Sequence, residues 1–579
     1  MLGLIQSLRI IWRLAIPYFR SEDRWAGRGL LVAVIVCELG LVVITVLINR
    51  WYNTFYSSLQ DRNWDTFIWG IAYFGAIATA GSLLSASKLY VNLWLQIRWR
   101  RWMTSLYLGN WLDAATHYGM DLVGSGVDNP DQRISEDIRF FIEKTLSVGL
   151  GFLSAIATLS SFIAILWMLS ELSPLQLFGV TLAIPGYLVW AAIIYAVLGT
   201  TVAHLVGRKL IGLNFNQQRY EADFRFNLVR VRENSEQIAL LGGEPAELNR
   251  LLIRFGNVVY NWYLIMSRQK WLTLFTSGYN HSSIIIPFIV VSPAYFSGAM
   301  QLGGLVQSAA AFTTVQTALS FFVTVYHDLA EWRAVVARLD GFNRSIANAR
   351  GTAKTADIVA DSERSALTIN ELSVRLPTGA PLIATEKLVI KSGQRALISG
   401  PSGAGKSTFF RAIAGIWPFR SGTVVVPRGA KLMVLPQRPY FPIASLEEAV
   451  AYPSPVGTFK TDRVAKVLQS VGLSALAERL SQEAHWNQIL SLGEQQRLSI
   501  ARAILQAPDF LLLDEATASL DERSEANMYQ AIQEQLPSVT VVSIGHRSTL
   551  SAIHDRHLTL HPLIDRHLIR DAVVDPKAI

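Results

Sequence analysis

Arg395-Ala-Leu-Ile-Ser399 is a short apolar run, and Gly400-Pro401-Ser402-Gly403-Ala404-Gly405-Lys406-Ser407-Thr408 follows it directly. The second segment fits GxxxxGK[ST] without a mismatch. It sits between a predicted strand and a predicted helix (Lys406–Ile416), which is the context a phosphate-binding loop needs. Glycines let backbone N–H groups approach a β-phosphate. Lys406 adds a point charge, Ser407 offers an oxygen to Mg²⁺, and the helix N-terminus adds partial positive charge. About 100 residues on, Phe510-Leu-Leu-Leu-Asp514-Glu515 reads as a buried strand ending in two carboxylates. Asp514 is placed to bind Mg²⁺ and Glu515 to polarise an attacking water as general base.

Working outward, residues 367–579 alternate short apolar runs with amphipathic stretches, an α/β pattern. Residues 343–366 are small, polar and mixed in charge, and read as a linker. Residues 1–342 differ in kind. Gly29–Ile48 is a run of bilayer length carrying one charge, Glu38. Thr66–Ala86, Thr145–Leu169, Leu175–Leu198, Leu274–Phe296 and Gly304–Tyr326 bring the expectation to six spans. The third and fourth form a hairpin across Ser170–Pro174. Gln96–Leu112 and Gln217–Leu241, in the two long connections, read as helical extensions of the spans.

Composition agrees. The chain has 579 residues, 51% hydrophobic and 17% charged, where soluble domains carry about 25% charged residues. That excludes disorder and an ordinary cytosolic enzyme. A single cysteine, Cys37, excludes a disulfide framework or thiolate cluster. The formal charge of +8 is explained by position rather than by nucleic acid. Connections expected on one side of the membrane carry 22 Lys and Arg, Lys88 among them, against two on the other side, Arg50 and Arg62. The N-terminus, the long loops and the ATPase part are therefore expected in the cytoplasm.

Between the two phosphate-site segments lies Leu490-Ser491-Leu492-Gly493-Glu494-Gln-Gln-Arg497, which resembles the LSGGQ-type signature of ATP-binding cassette (ABC) ATPases, with Leu492 in place of the first glycine. Ala516–Asp521 is similar to the family's D-loop, Gln437 matches the Q-loop and His546 the switch histidine. The resemblance implies that ATP and Mg²⁺ are bound, with Ser407, Gln437 and Asp514 serving the metal, and Glu515 and His546 catalytic. It also implies that Ser491, Gly493 and Glu494 meet the nucleotide of an opposite cassette, so that a chain with one cassette works as a homodimer. Leu376 stands where an adenine-stacking aromatic is common, so adenine packing is expected to be apolar. The implied fold is an α-helical polytopic membrane domain, exporter-like with long cytoplasmic helices, fused to an α/β ABC nucleotide-binding domain.

Tyr18–Trp25 and Asn49–Gln60 resemble the SbmA/BacA peptide-uptake proteins. Asn129–Ile138 and Glu233–Glu244 are similar to loops of the peroxisomal D-subfamily. The first likeness implies uptake of peptides or bulky hydrophilic compounds, cobalamin included, across the bacterial inner membrane. The second implies movement of fatty acids or acyl-CoA. An ATP-gated channel and a membrane-tethered regulatory ATPase are the other classes. Glu38 is the candidate cargo or proton site, because an ionisable group inside a span tends to face a partner or cavity. His281 reads as a bundle residue, Asp328 as a span end, and Glu136 and Asp137 as loop-structuring or cassette-contacting groups.

Overall fold

The computed structural model describes residues 2–124, 129–172, 175–177, 180–182, 184–353, 358–361, 366–562 and 567–571. The chain divides into two compact units, one of residues 1–107 and 129–341, the other of residues 108–128 and 342–579.

The first unit is built from helices, most of them long: α1 (Leu2–Arg20), α2 (Arg24–Gln60), α3 (Trp64–Leu112), α5 (Ile138–Leu172), α6 (Tyr187–Glu233), α7 (Ser235–Leu240), α8 (Glu244–Phe296) and α9 (Leu302–Ala353); the short α4 (Thr116–Val123) falls in the second unit. Apolar backbone in a bilayer must satisfy its own hydrogen bonds, which a continuous helix does. At 1.5 Å per residue the 53 residues of α8 run roughly 80 Å. They far exceed the ~30 Å apolar core of a membrane. Gln96–Leu112 is continuous with α3, as expected. Gln217–Leu241 breaks at Asn234 before α7.

Five helices among the described residues are long and apolar enough to cross a membrane. The sixth expected span, Gly304–Tyr326, lies in α9 and is not one of them. The fourth span begins later than expected. Leu175–Leu177 and Val180–Leu182 form a two-stranded hairpin (β1, β2), Pro185-Gly186 interrupts, and α6 starts at Tyr187. Ser173 and Pro174 of the expected connection lie outside the described residues.

Antiparallel packing sets residue levels. α2 and α3 fold back across Asp61–Asn63, which brings Trp51 Nε1 to donate to the Gly70 carbonyl at 2.8 Å and Glu38 into an ion pair with Lys88. Lys88 is therefore a partner inside the helix bundle and not one of the loop charges among which the sequence places it. α6 and α8 pair likewise: Asn261 donates to the Leu213 carbonyl at 2.9 Å, and the Tyr195 and Tyr279 rings stack at 4.4 Å. Gly303 lets the start of α9 meet α2, since a Cβ there would fall 1.9 Å from the Asn53 carbonyl oxygen. Asp137, 2% exposed, is held by Arg133 at 2.5 Å and Arg338 at 2.6 Å, a loop-structuring role. Asp328 pairs with Lys144 at 2.7 Å, and His281 is exposed.

The second unit centres on one large sheet. Its strands are β3 (Ile358–Asp361), β4 (Ala366–Arg375), β5 (Pro381–Lys391), β6 (Arg395–Ser399), β7 (Arg420–Pro427), β8 (Leu432–Leu435), and, after a short β9 (Ala444–Ser445) and β10 (Glu483–Ala484) ladder, β11 (Phe510–Asp514), β12 (Thr540–Ile544), β13 (Arg556–Pro562) and β14 (His567–Asp571). Their order is β3-β7-β4-β5-β14-β13-β6-β12-β11-β8. The run β13-β6-β12-β11-β8 is parallel. β6, β11 and β12 are near-continuous apolar segments, as strands covered on both faces must be.

Two boundaries differ from the sequence reading. Residues 343–353 are not linker: they are the last turns of α9, with Ile346 and Ala349 buried. Residues 354–357 and 362–365 of the expected linker lie outside the described residues. Residues 108–124, expected in the membrane part, belong with the cassette. Leu122 packs on the sheet's core, and Arg350 donates to the Asn110 carbonyl and to Asp113, both at 3.0 Å.

Candidate functional site

Four parallel strands end on one edge of the sheet, and each delivers chemistry there. β6 leads into the Gly400–Ser407 loop, β8 into Gln437, β11 ends at Asp514 before Glu515, and β12 leads to His546. The register forces this convergence, because Leu513 sits opposite both Leu435 and Ser543 and Ile544 opposite Ile398. Ligands of open α/β sheets bind at such carboxyl ends.

The loop turns through glycines in left-handed backbone, Gly403 at φ 79° and Gly405 at φ 88°. A Cβ on Gly405 would also meet Leu382 at 2.6 Å. α10 (Lys406–Ile413) then begins with its free N–H groups facing the loop. Lys406 is buried. Its Nζ donates to the Gly400 and Pro401 carbonyls at 2.7 and 3.0 Å and lies 2.9 Å from His546 Nε2. Burial pulls its pKa below the ordinary lysine value, against the opposing pull of Glu515 and Asp514. Ser407 Oγ donates to Asp514 at 2.9 Å. Burial raises the Asp514 pKa above the usual carboxylate range, with Ser407 opposing. Gln437 Nε2 donates to Glu515 at 3.0 Å, and His546 Nε2 stands 3.8 Å from the other Glu515 oxygen.

Lys406, Ser407, Gln437, Asp514 and Glu515 line a cavity of about 610 Å³ with Ser402, Gly403, Ala404, Gly405 and Thr408, and His546 reaches them from outside that lining. Leu376 and Leu382 contribute apolar side chains to it. The group pattern is amide donors and a cation for phosphates, and a hydroxyl, an amide and a carboxylate beside them for a divalent ion. A carboxylate follows for water.

Ser491, Gly493 and Glu494 stand apart from these residues and do not line this cavity. They open α13, which follows α11 (Leu446–Ala451) and α12 (Thr461–Ser470) and runs Leu492–Gln506. Ser491 and Glu494 cap it reciprocally: Ser491 N–H and Oγ donate to Glu494 at 2.9 and 2.7 Å, and Glu494 N–H donates back at 3.3 Å.

One residue was missed. Gln496 is fully buried, its Nε2 donates to the Gln437 carbonyl at 3.1 Å, and its Oε1 accepts from Ser519 N–H at 2.9 Å. It ties Gln437 to the Ala516–Asp521 loop. A polar residue at a buried position of an otherwise apolar helix face was the available signal.

Comparison with known proteins decides the family. Residues 14–296 match the family described as ABC transporter transmembrane region 2, and residues 385–518 the family described as ABC transporter. The inner membrane ABC transporter ATP-binding protein YddA of Escherichia coli is 33% identical over 535 residues, covering 92% of this chain and 93% of that one. The chain belongs to the ABC transporter family. Its type is that of the D-subfamily and YddA-like half-transporters. The lysosomal cobalamin transporter ABCD4 of mouse is 26% identical, covering 97% of this chain and 95% of that protein. A bacterial Atm1-family ABC exporter solved with ATP bound superposes with a TM-score of 0.72 at 18% identity, covering 93% and 94% of the two chains. That likeness establishes an exporter fold. This ABC transporter spans the membrane, binds ATP and hydrolyses it.

Proposed function

We propose that two copies of this chain form an ATP-driven transporter of the bacterial inner membrane, with the N-terminus and cassettes in the cytoplasm, taking up peptides or bulky hydrophilic compounds. One observation carries the dimer. Ser491 and Gly493 stand away from the cavity formed by their own chain's phosphate loop. A second copy supplies them. ATP then binds the paired state better than the separated one, which is what a shift between states requires.

In that site Lys406 and the loop amides orient the β- and γ-phosphates, and His546 faces the γ-phosphate. Glu515, held by Gln437, accepts the proton of the attacking water. Ser407, Gln437 and Asp514 would hold Mg²⁺, whose contribution is to neutralise phosphate charge. The hydrophilic cargo class is supported by a hydroxyl-lined cavity of about 850 Å³ in the helical unit. The relative named as a cobalamin transporter fits the same class.

Mixed dimers test the pairing. A Lys406→Ala copy and a Ser491→Ala copy are each inactive alone. Mixed, they regain one intact site and measurable ATP turnover, whereas a site closed within one chain gains nothing on mixing. ATP-dependent flux in proteoliposomes separates a transporter from a channel, which leaks without ATP, and from a tethered ATPase, which moves nothing.

A further inference from the structure

His546 is placed by its backbone more than by packing. Its side chain is half exposed, and the residue before it is Gly545. The glycine lets Leu550 come close, since a Cβ there would fall 2.2 Å from a Leu550 methyl, but it also leaves the chain free to pivot. The segment is held from the other side of His546. Arg547 donates to the Leu520 carbonyl at 2.6 Å and to the Ala518 carbonyl at 2.9 Å. Thr549 Oγ1 donates to Glu525 Oε2 at 3.0 Å.

Glu525 lies in α14 (Glu522–Gln535) and is buried. Its Oε1 accepts from Thr517 Oγ1 at 2.6 Å, and Thr517 is buried as well. Arg547 stands 3.7 Å from Oε2. A buried carboxylate persists only with hydrogen-bond donors and a counter-charge. Two hydroxyls and a guanidinium supply them here. One carboxylate and one guanidinium thus clasp the segment after His546 to the Ala516–Asp521 loop. That loop is fixed on its other side. Ala518 N–H donates to the Glu515 carbonyl at 3.1 Å, and Ser519 N–H donates to Gln496 of α13 at 2.9 Å. The clasp therefore refers His546 to the same stretch of backbone that carries Glu515.

We propose that Arg547 and Glu525 are positioning residues for His546, holding its imidazole at working distance from Lys406 and Glu515. Neither lines the nucleotide cavity, so both act through the histidine. The inference rests on the roles given above to Glu515 and His546, and adds the support behind them. With the clasp open, Lys406 and the loop amides still hold ATP. The histidine loses its register with the base, and a misplaced group costs rate rather than affinity.

The test measures ATP binding and phosphate release by the full-length protein in nanodiscs with Mg²⁺, using radiolabelled ATP so that slow variants are still read. Arg547→Met removes the guanidinium. That side chain is 35% exposed, so water takes its place at the two carbonyls and the fold survives. Turnover should fall by about tenfold, with the ATP dissociation constant within about twofold of wild type. Arg547→Lys keeps the charge and should come back to within about threefold of wild type, short of full recovery because one ammonium cannot span two carbonyls as the planar fork does. Glu525→Gln keeps shape and can still bond both threonines, but loses the charge facing Arg547, and should lower turnover by about threefold. The deciding measurement is a double-mutant cycle: in a His546→Ala background, Arg547→Met should cost less than about twofold, because the group it positions is gone. A loss of the same size in both backgrounds, a loss confined to ATP affinity, or wild-type turnover in both Arg547→Met and Glu525→Gln would each overturn the assignment. Failure of the underlying reading looks different. His546→Ala would then turn over ATP at the wild-type rate, and the positioning role would fall with it, whereas an unimpaired Arg547→Met beside a crippled His546→Ala sinks the clasp alone.

Discussion

The cassette and the membrane unit each withdraw a lysine and a carboxylate from bulk water, and they treat them differently. In the cassette, Lys406 rests on two backbone carbonyls and His546, and Asp514 on a serine hydroxyl. Neither charge is closely matched by the other. In the membrane unit, Glu38 and Lys88 neutralise each other directly. The cassette site is arranged for incoming charge of high density, a triphosphate, and holds its groups ready at some cost in stability. The bilayer offers no water to share that cost, so the helices keep their charges paired.

The comparison is tested most severely at Glu515. Glu515→Gln should reduce phosphate release by roughly 10²–10⁴-fold, the usual contribution of a general base, while ATP binding by equilibrium dialysis stays within about threefold. Wild-type turnover in this variant would remove Glu515 from the chemistry. The charge-pair contrast comes next. Removing one member of a buried ion pair costs about 3–5 kcal/mol, whereas removing both is close to neutral. Thermal unfolding of nucleotide-free protein should therefore show Glu38→Gln and Lys88→Met each destabilising, and the double variant restored. Lys406→Met in the cassette should be neutral or stabilising. Equal effects in both regions would erase the distinction.

Much of the cassette was legible because phosphate chemistry demands glycines, a lysine and a hydroxyl within eight residues of one another. Asp514 and Glu515 were read from the apolar run that ends in them, and Gln437 and His546 from the family resemblance; parallel strand register then gathers them. The membrane site is different. Thr45 and Asn49 lie on α2, Thr313 and Thr317 on α9, and nothing local marks them as neighbours. Lys88 was counted as a loop charge because its surroundings in sequence become polar. Reflection about the turn at Asp61–Asn63 puts it level with Glu38, so the pair follows from the hairpin once the turn is known. The linker reading failed because small polar residues at 343–353 continue a helix whose buried face is Ile346 and Ala349.

A smaller effect is expected at Gln496. Gln496→Met removes both of its hydrogen bonds, and leaving buried partners unsatisfied costs on the order of 1–3 kcal/mol. Turnover should fall by about tenfold. The distinguishing measurement is amide exchange at Ser519, whose N–H has lost its acceptor and should exchange faster. Gln496→Glu keeps that acceptor and should leave Ser519 protected, while setting a carboxylate against the Gln437 carbonyl. Unchanged exchange in the methionine variant would deny the bridge its part in the Ala516–Asp521 loop.

The smallest effect concerns pH and Asp514. Its folded pKa lies above the unfolded value of about 3.9 because burial disfavours the charged form. The folded state therefore binds the proton more tightly. The stability this contributes is complete below the unfolded pKa and is lost as pH rises through the folded one. Nucleotide-free Asp514→Asn cannot lose it. It should be more stable than wild type at pH 7, by on the order of 1 kcal/mol, the scale of ordinary substitutions, with the difference shrinking toward pH 4. ATP with Mg²⁺ should reverse the order, since bound ligand stabilises only the chain that holds it well. If Asp514→Asn were the less stable protein without nucleotide at pH 7, Ser407 and Lys406 would already compensate the carboxylate. The cassette would then manage its charges as the membrane unit does.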